Sequence, residues 1–208
     1  MMRRALALLV LAGCSALSGT AIGSTAPGAA TDPAPPRASM GDLDAVMSLL
    51  AMRQHGRVEF VEQQFLAILD HPVESSGELR YDAPDRLEKR TLLPHPEDLQ
   101  LAGGVLTMER GGRSRVLDLH RYPQIQPFVE SIRATLAGDR GALEKIFHVD
   151  FAGNMGRWSL TLVPLDGQLM RTVKQVQIDG SRDQLLRVEI RQADGDRSLM
   201  TLRAPAAP

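Results

Sequence analysis

The sequence predicts a mainly β (α+β) fold, an incomplete antiparallel β-barrel of about eleven strands with helices covering its concave face. Short segments such as Trp158–Val163 and Leu185–Ile190 alternate apolar and polar residues, which is typical of an antiparallel sheet with one face in water. Turn signals such as Gly111-Gly112 separate these segments. A sheet of this size curls or splits instead of staying flat, so helices over its concave face are the simplest way to cover the apolar side.

Residues 1–26 have the pattern of an export signal. The basic residues Arg3 and Arg4 precede a short apolar segment, Ala5–Ala16, and small residues follow, with cleavage expected after Ala21. The apolar segment is too short for a membrane span, which needs about 20 residues. We therefore expect an exported protein whose mature chain begins near Ile22.

The single cysteine supports a second interpretation of the same segment. The sequence Leu-Ala-Gly-Cys that ends at Cys14 resembles the lipobox of bacterial lipoproteins, in which the cysteine is acylated and becomes the mature N-terminus. Alternatively, Cys14 is only a small apolar residue of the signal segment. Both interpretations stay open, and in either case no disulfide can form within the mature chain.

The remaining chain divides into a linker, one domain and a tail. Residues 27–40 are rich in proline and alanine and are expected to be a flexible linker, and residues 204–208 a disordered tail. Residues 41–203 form the predicted domain, in which Asp42 caps a first helix that Gly56 ends. The predicted strands are Arg57–Leu69, Gly77–Tyr81, Arg86–Leu93, Asp98–Leu101, Val105–Arg110, Arg113–Leu119, Val149–Ala152, Trp158–Val163, Val173–Ile178, Leu185–Ile190 and Arg197–Leu202.

Two further helices are predicted between the sixth and seventh strands, near residues 125–147. Gly138 ends the first of them, and Asp139 caps the second. The first carries an apolar stripe, which is either ordinary core or the inner face of a lid over a cavity. The stripe consists of Ile125, Phe128, Val129, Ile132 and Leu136.

Residues 77–94 are predicted to form a hairpin with an unusual inner face. The fixed φ and missing N–H of Pro84 place it in the turn. In the second strand, Leu87 and Lys89 share one face by the period of two, while the opposite face is charged. Lysine is almost never fully buried without a partner. A hollow interior, with an anionic head group or a carboxylate near Lys89, would resolve this conflict.

The same hairpin carries a resemblance to a known family. The pattern formed by Gly77, Leu79, Tyr81, Pro84 and Leu87 resembles the strand pair of the periplasmic outer-membrane lipoprotein carrier (LolA-like) family. The order of elements agrees with that family from about residue 42 to residue 202. The resemblance implies the half-barrel architecture.

This chain departs from the family pattern at the hairpin. Members commonly have an arginine that latches a lid just before the proline, where this chain has Ala83. They also commonly have aromatic residues at the positions of Leu87 and Lys89.

Composition and motifs argue against several other functions. Removing Arg3 and Arg4 with the signal leaves 24 − 2 = 22 basic against 25 acidic residues, a balance of −3, and no basic stripe suggests nucleic acid. The five histidines are isolated, so neither a metal site nor a cofactor is expected. Glu59 and Glu62 fall on opposite faces of one strand and are interpreted as solvated charges, not as a catalytic pair.

The one-sided apolar strands present more surface than two short helices can cover by close packing. We therefore expect a hollow, apolar interior that binds lipid. Its predicted lining is Leu79, Tyr81, Leu87, Lys89, Leu106, Met108, Phe128, Ile132, Leu136, Trp158, Leu160, Leu162, Val176 and Ile178.

The interior predicts a non-enzymatic protein that holds lipids or lipoproteins by their acyl chains. Together with the resemblance, this implies a carrier that takes them across the periplasm toward the outer membrane. The resemblance implies the transport role, with envelope lipoprotein-sorting or lipid-export membrane proteins as partners, and we expect a monomer. Three alternatives stay open: an outer-membrane lipid-anchored lipoprotein acceptor if Cys14 is acylated, an envelope hydrolase, and a protein-binding module.

Overall fold

The computed structural model describes residues 40–122 and 126–205. The helices are α1 (Met40–Ala51), α2 (Gln126–Leu136), α3 (Arg140–Ile146) and α4 (Gly167–Met170), and a 3₁₀ turn spans Leu119–Arg121. The strands are β1 (His55–Phe65), β2 (Val73–Asp82), β3 (Arg86–Leu93), β4 (Glu97–Ala102), β5 (Val105–Arg110), β6 (Arg113–Asp118), β7 (Phe147–Asn154), β8 (Arg157–Pro164), β9 (Val173–Ser181), β10 (Gln184–Gln192) and β11 (Arg197–Arg203).

All eleven strands form one antiparallel sheet in the order β6-β5-β4-β3-β2-β1-β11-β10-β9-β8-β7. Neighbours in the sheet are also neighbours in the chain, except that β1 pairs with β11 and so joins the N-terminal and C-terminal halves. Within the described residues, β6 and β7 each pair with a single strand, so the sheet stays open. The predicted fold class, an incomplete antiparallel barrel of eleven strands, is confirmed.

Two elements end earlier than predicted, because hydrogen bonds from backbone N–H groups turn the chain. The first helix ends at Ala51 and not at Gly56, since Arg53 N–H donates to the Leu50 carbonyl (3.0 Å) and closes a turn. Strand β1 ends at Phe65, and the next residues turn away as Ala67 N–H donates to the Asp196 carboxylate (2.9 Å).

Helix α4 and the 3₁₀ turn were not predicted. Both follow an aspartate that caps them through its side chain, Asp166 for α4 and Asp118 for the 3₁₀ turn. The Asp166 carboxylate accepts from the N–H groups of Gln168 (2.8 Å) and Leu169 (3.1 Å). These elements are only one turn long, too short to show a helical period in the sequence.

Helices α1, α2 and α3 pack on the concave face of the sheet and form its solid core. The backbone of α1 packs closely against Gly138, which ends α2 with a φ of +63°. A Cβ at Gly138 would lie only 2.0 Å from the Met47 carbonyl oxygen, so a larger residue does not fit there. The buried cluster contains Leu43, Val46, Met47 and Leu50 from α1, Val129, Ala134 and Leu143 from α2 and α3, and Leu101, Leu106, Phe147, Trp158, Leu160, Leu162, Val176 and Ile178 from the sheet.

Several predictions fall outside the described residues. These are the export signal, the acylation of Cys14, most of the linker, and the end of the C-terminal tail. The placement of Ile125 and of the Phe128 side chain is likewise outside them. Among the helices that are described, none is long and apolar enough to cross a membrane.

Candidate functional site

A cavity of ≈ 280 Å³ lies between the concave face of the sheet and helix α2. It opens where β1 begins and β11 ends, since the exposed residues of its wall, such as Arg57, Gln184 and Ala204, lie at that end. Most of its wall is apolar, and the side chains come from strands on both sides of the β1–β11 pair. They include Val58, Leu79, Tyr81, Leu87, Leu99, Leu101, Leu106, Val188, Ile190, Met200 and Leu202, with Ile132 and Leu136 from α2.

Three polar side chains form the inner end of this cavity, which we call the floor: Lys89, Glu62 and Ser198. Lys89 Nζ donates to Glu62 Oε2 at 2.6 Å, and Ser198 Oγ donates to Glu62 Oε1 at 2.6 Å. The side chains of Lys89 and Glu62 are 11% and 2% exposed, so this is a buried ion pair. The ammonium also lies over the Phe60 ring, 5.0 Å from its centroid.

The Lys89–Glu62 ion pair joins β3 to β1 across the intervening strand β2, which has a glycine, Gly77, between them. β2 lies between β1 and β3, and its Gly77 is opposite Phe60 on one side and Thr91 on the other. Glu62 is two residues from Phe60 on β1, and Lys89 is two residues from Thr91 on β3, so the two lie diagonally across Gly77 in opposite directions along the sheet.

The interpretation of Glu62 as a solvated charge was wrong. Period two correctly separates it from Glu59, which is exposed, but Glu62 points into the barrel, where it is almost fully buried. The apolar neighbours at positions 58 and 60 on the same face were the signal that placed it inside. Its contact with Lys89, 27 residues away along the chain, depends on the curvature of the sheet.

A second buried carboxylate lies beyond the floor. Glu97 of β4 is 3% exposed, and neither of its carboxylate oxygens has a hydrogen-bond partner among the described residues. Burial raises the pKa of the Glu97 carboxyl, although the charges of Arg110 and Lys89 oppose this shift. Buried polar side chains therefore continue from the floor of the cavity to Glu97 on β4.

The β2–β3 hairpin meets α2 beside the cavity. Tyr81 O–H donates to the Pro84 carbonyl at 3.4 Å, and burial raises the pKa of the Tyr81 phenol while the charge of Arg133 opposes that shift. Arg133 of α2 forms an ion pair with Glu130 and also feels the charge of Asp85 in the hairpin turn.

Most of the residues predicted for the lining do contact the cavity. They are Leu79, Tyr81, Leu87, Lys89, Leu106, Ile132, Leu136, Leu162, Val176 and Ile178. Met108, Trp158 and Leu160 do not contact it and lie in close-packed core. Trp158 packs on Gly180, where an added Cβ would lie 2.2 Å from its ring, and its Nε1 donates to the Arg182 carbonyl at 2.9 Å.

Sequence reasoning did not include the contribution of β10, β11 and the end of α1 to the wall. Leu186, Val188 and Ile190 do show the required alternation, so a signal was present. A register shift between Leu185 and Arg187 lets both Leu185 and Leu186 contact the cavity, which strict alternation forbids. The other residues missed include Leu50, Met200 and Leu202.

The arrangement suits binding by apolar contact with hydrogen bonding at one point. Among the described residues, no group of three His, Cys, Asp or Glu side chains is placed to hold a metal ion. The polar atoms that reach the cavity floor belong to one ion pair and one hydroxyl that already hydrogen-bond to each other.

A family described as outer membrane lipoprotein carrier protein LolA-like matches residues 33–208. No curated protein matches the chain. A LolA superfamily protein from Nitrosomonas europaea is 10% identical, with a TM-score of 0.42 over 80% of this chain and 95% of its own. The Mycobacterium tuberculosis lipoprotein LppX is 11% identical, with a TM-score of 0.43 over 79% and 95%. A putative outer membrane lipoprotein-sorting protein domain from Vibrio parahaemolyticus is 11% identical, with a TM-score of 0.40 over 81% and 94%.

Proposed function

The chain belongs to the outer membrane lipoprotein carrier (LolA-like) family, and we propose that it is a non-enzymatic carrier of acyl chains in the periplasm. In this proposal it holds a lipid, or the acyl chains of a lipoprotein, in the cavity and takes it toward the outer membrane. The observation that carries the proposal is the apolar cavity of ≈ 280 Å³, open at one end, between the sheet and α2.

The physical chemistry of such a cavity is sufficient for binding. Each CH₂ group moved from water to an apolar site gains about 0.8 kcal/mol, so a shielded apolar concavity binds an alkyl chain without any reactive group. An engineered apolar cavity of about 150 Å³ in another protein binds benzene, and typical ligand pockets have about 300–1,000 Å³. At ≈ 280 Å³, this cavity suits one alkyl chain better than a whole lipid.

Release of the cargo requires a competitor. A carrier cannot shift the equilibrium by itself, so a membrane or a membrane protein must bind the cargo more tightly. We propose envelope lipoprotein-sorting or lipid-export proteins in this role, acting on a monomeric carrier. If Cys14 is acylated, the protein is instead anchored in the outer membrane and accepts lipoproteins there. The intact mass of the exported protein distinguishes the two, because only acylation adds mass to a chain that begins at Cys14.

The first experiment is native mass spectrometry of the exported protein, followed by lipid extraction. We expect co-purified lipid, and we expect the lipid-free protein to take up a fluorescent fatty acid. Absence of both would contradict the proposal. Turnover of an ester or amide substrate would favour a hydrolase, and a stoichiometric protein partner without lipid would favour a binding module.

A space-filling variant tests whether the cavity is the binding site. Leu79 lies in the cavity wall on β2, so Leu79→Trp should fill the space and abolish uptake of the fatty acid. Val116 on β6 is 67% exposed, and Val116→Trp adds the same side chain away from the cavity. This control should bind as the wild type does. Equal binding by both variants would place the site elsewhere.

A further inference from the structure

The ammonium of Lys89 has hydrogen-bonding capacity left over inside the cavity. It carries three N–H donors, and one is used by Glu62 at 2.6 Å. The ammonium lies 5.0 Å from the centroid of the Phe60 ring, and Lys89 is one of the residues that line the cavity. Both Glu62 oxygens already accept a hydrogen bond, one from Lys89 and the other from Ser198. Two of the three N–H donors of Lys89 therefore remain for a ligand.

The Lys89–Glu62 ion pair is not needed for the stability of the fold. Replacing a buried ion pair by well-packed apolar residues of similar volume is often neutral or stabilising, because desolvation costs as much as the attraction gains. The neighbours of Lys89 across the sheet, Leu79 and Leu99, are apolar and belong to the same wall. Ligand binding explains a charged residue at position 89 of this apolar wall better than fold stability does.

Resting on the proposed carrier function, we propose that the cavity selects an alkyl chain that bears a neutral oxygen acceptor on its buried part. A keto, ester or hydroxyl oxygen can accept from the free N–H groups of Lys89. A carboxylate is disfavoured there, because Glu62 lies 2.6 Å from the same ammonium and would repel a second negative charge.

The depth of the floor determines where the oxygen lies on the ligand. The mouth includes Gly56 and the floor includes Glu62 on the same strand, and six residues of strand span about 20 Å. A chain that enters from the mouth with its head group outside therefore brings a distant part of its alkyl segment to Lys89. The selected oxygen belongs to the chain itself and not to the head group.

The test uses the full exported protein and a matched series of ligands. Octadecanoic acid and its keto derivatives, with the keto group moved along the chain, compete against a bound fluorescent fatty acid. We expect derivatives with the oxygen within a narrow range of positions to bind about tenfold more tightly than octadecanoic acid, as one hydrogen bond to a charged donor predicts. Equal affinity across the series would overturn this inference and leave the carrier function standing. No binding of any member would overturn both.

A double variant assigns the preference to Lys89. Lys89→Met alone leaves Glu62 buried without its ion-pair partner, so it is combined with Glu62→Gln, which can still accept from Ser198. In the double variant, the ratio of the affinity for the keto derivatives to the affinity for octadecanoic acid should fall to about one, whatever the absolute affinity of the variant is. Arg140→Met, which removes exposed ion pairs to Asp44 and Glu144, is the control and should keep the preference.

Thermal unfolding of each protein checks that the fold is intact. A preference that survives in a folded double variant would overturn the role of Lys89. If the double variant does not fold, the affinities of the wild-type protein across the keto series decide the inference by themselves.

Discussion

At the residue scale, Gly77 is required by a close backbone contact. A Cβ added to it would lie 1.9 Å from the Arg90 carbonyl oxygen on the neighbouring strand β3. Backbone cannot move away as the end of a flexible side chain can, so any larger residue strains the β2–β3 pairing. The glycine of the family motif thus has a packing reason in this chain.

Gly77→Ala should therefore destabilise the protein by about 1–3 kcal/mol, the usual cost of overpacking. Chemical denaturation measures this change in the free energy of unfolding. Gly167→Ala is the matched control, because a Cβ at Gly167 meets nothing within 4 Å. We expect the control to be as stable as the wild type or slightly more stable, since alanine favours a helix over glycine. Equal stability of the two variants would contradict the packing role.

Glu97 predicts a pH dependence of stability. Burial raises the pKa of its carboxyl in the folded protein above the ordinary value of 4.5, so the folded state holds this proton more tightly than the unfolded state. Stability should then fall as the pH rises from 4.5 until it passes the folded pKa. Glu97→Gln removes this titration and should be more stable at pH 7 by about 1 kcal/mol, because no charge is buried without a partner.

The difference in unfolding free energy between wild type and Glu97→Gln, measured across this pH range, isolates the contribution of Glu97. Other carboxyls contribute at lower pH. Asp82, for instance, has a lowered pKa because its side chain hydrogen-bonds to His55, and it is present in both proteins. A difference that does not change with pH would show that Glu97 titrates normally.

At the scale of elements, part of the concave face is close-packed and part borders the cavity, and some residues, such as Leu162, belong to both parts. Leu160 of β8 is 1% exposed and lies in the core cluster beneath the helices, whereas Leu79 of β2 lies in the cavity wall. Helix α2 contributes to both parts, since Val129 belongs to the core and Ile132 to the cavity wall. The apolar stripe therefore supplies core at Val129 and cavity wall at Ile132, and a lid function of α2 stays a prediction.

The two leucines provide a matched comparison. Leu160→Ala should cost about 2–5 kcal/mol of stability, the usual range for a close-packed core position. Leu79→Ala should cost clearly less, because its side chain already borders a cavity and loses fewer contacts. Chemical denaturation of both variants in lipid-free protein makes the comparison. If both variants lose about 2–5 kcal/mol of stability, the interior near Leu79 is close-packed and not hollow.

At the scale of the whole molecule, cargo should stabilise the fold. A ligand that binds only the folded state adds about 2.7 kcal/mol at a concentration of 100 times its Kd. Thermal unfolding of lipid-free protein with increasing fatty acid should therefore show a rising midpoint. The variant Leu79→Trp, in which the cavity is filled, should show no such rise. A midpoint that rises equally in both would indicate binding outside the cavity.

The sequence by itself determined the strands, their inward faces and the open antiparallel sheet. Strand alternation and turn residues are local signals, so Lys89 and Leu87 could be placed on the inner face from their spacing alone. Only the tertiary structure decided which inward residues meet. The contact of Lys89 with Glu62 over Gly77 needs the curvature of three strands, and the division between core and cavity depends on where α1, α2 and α3 pack. Both are long-range properties, which no local period encodes.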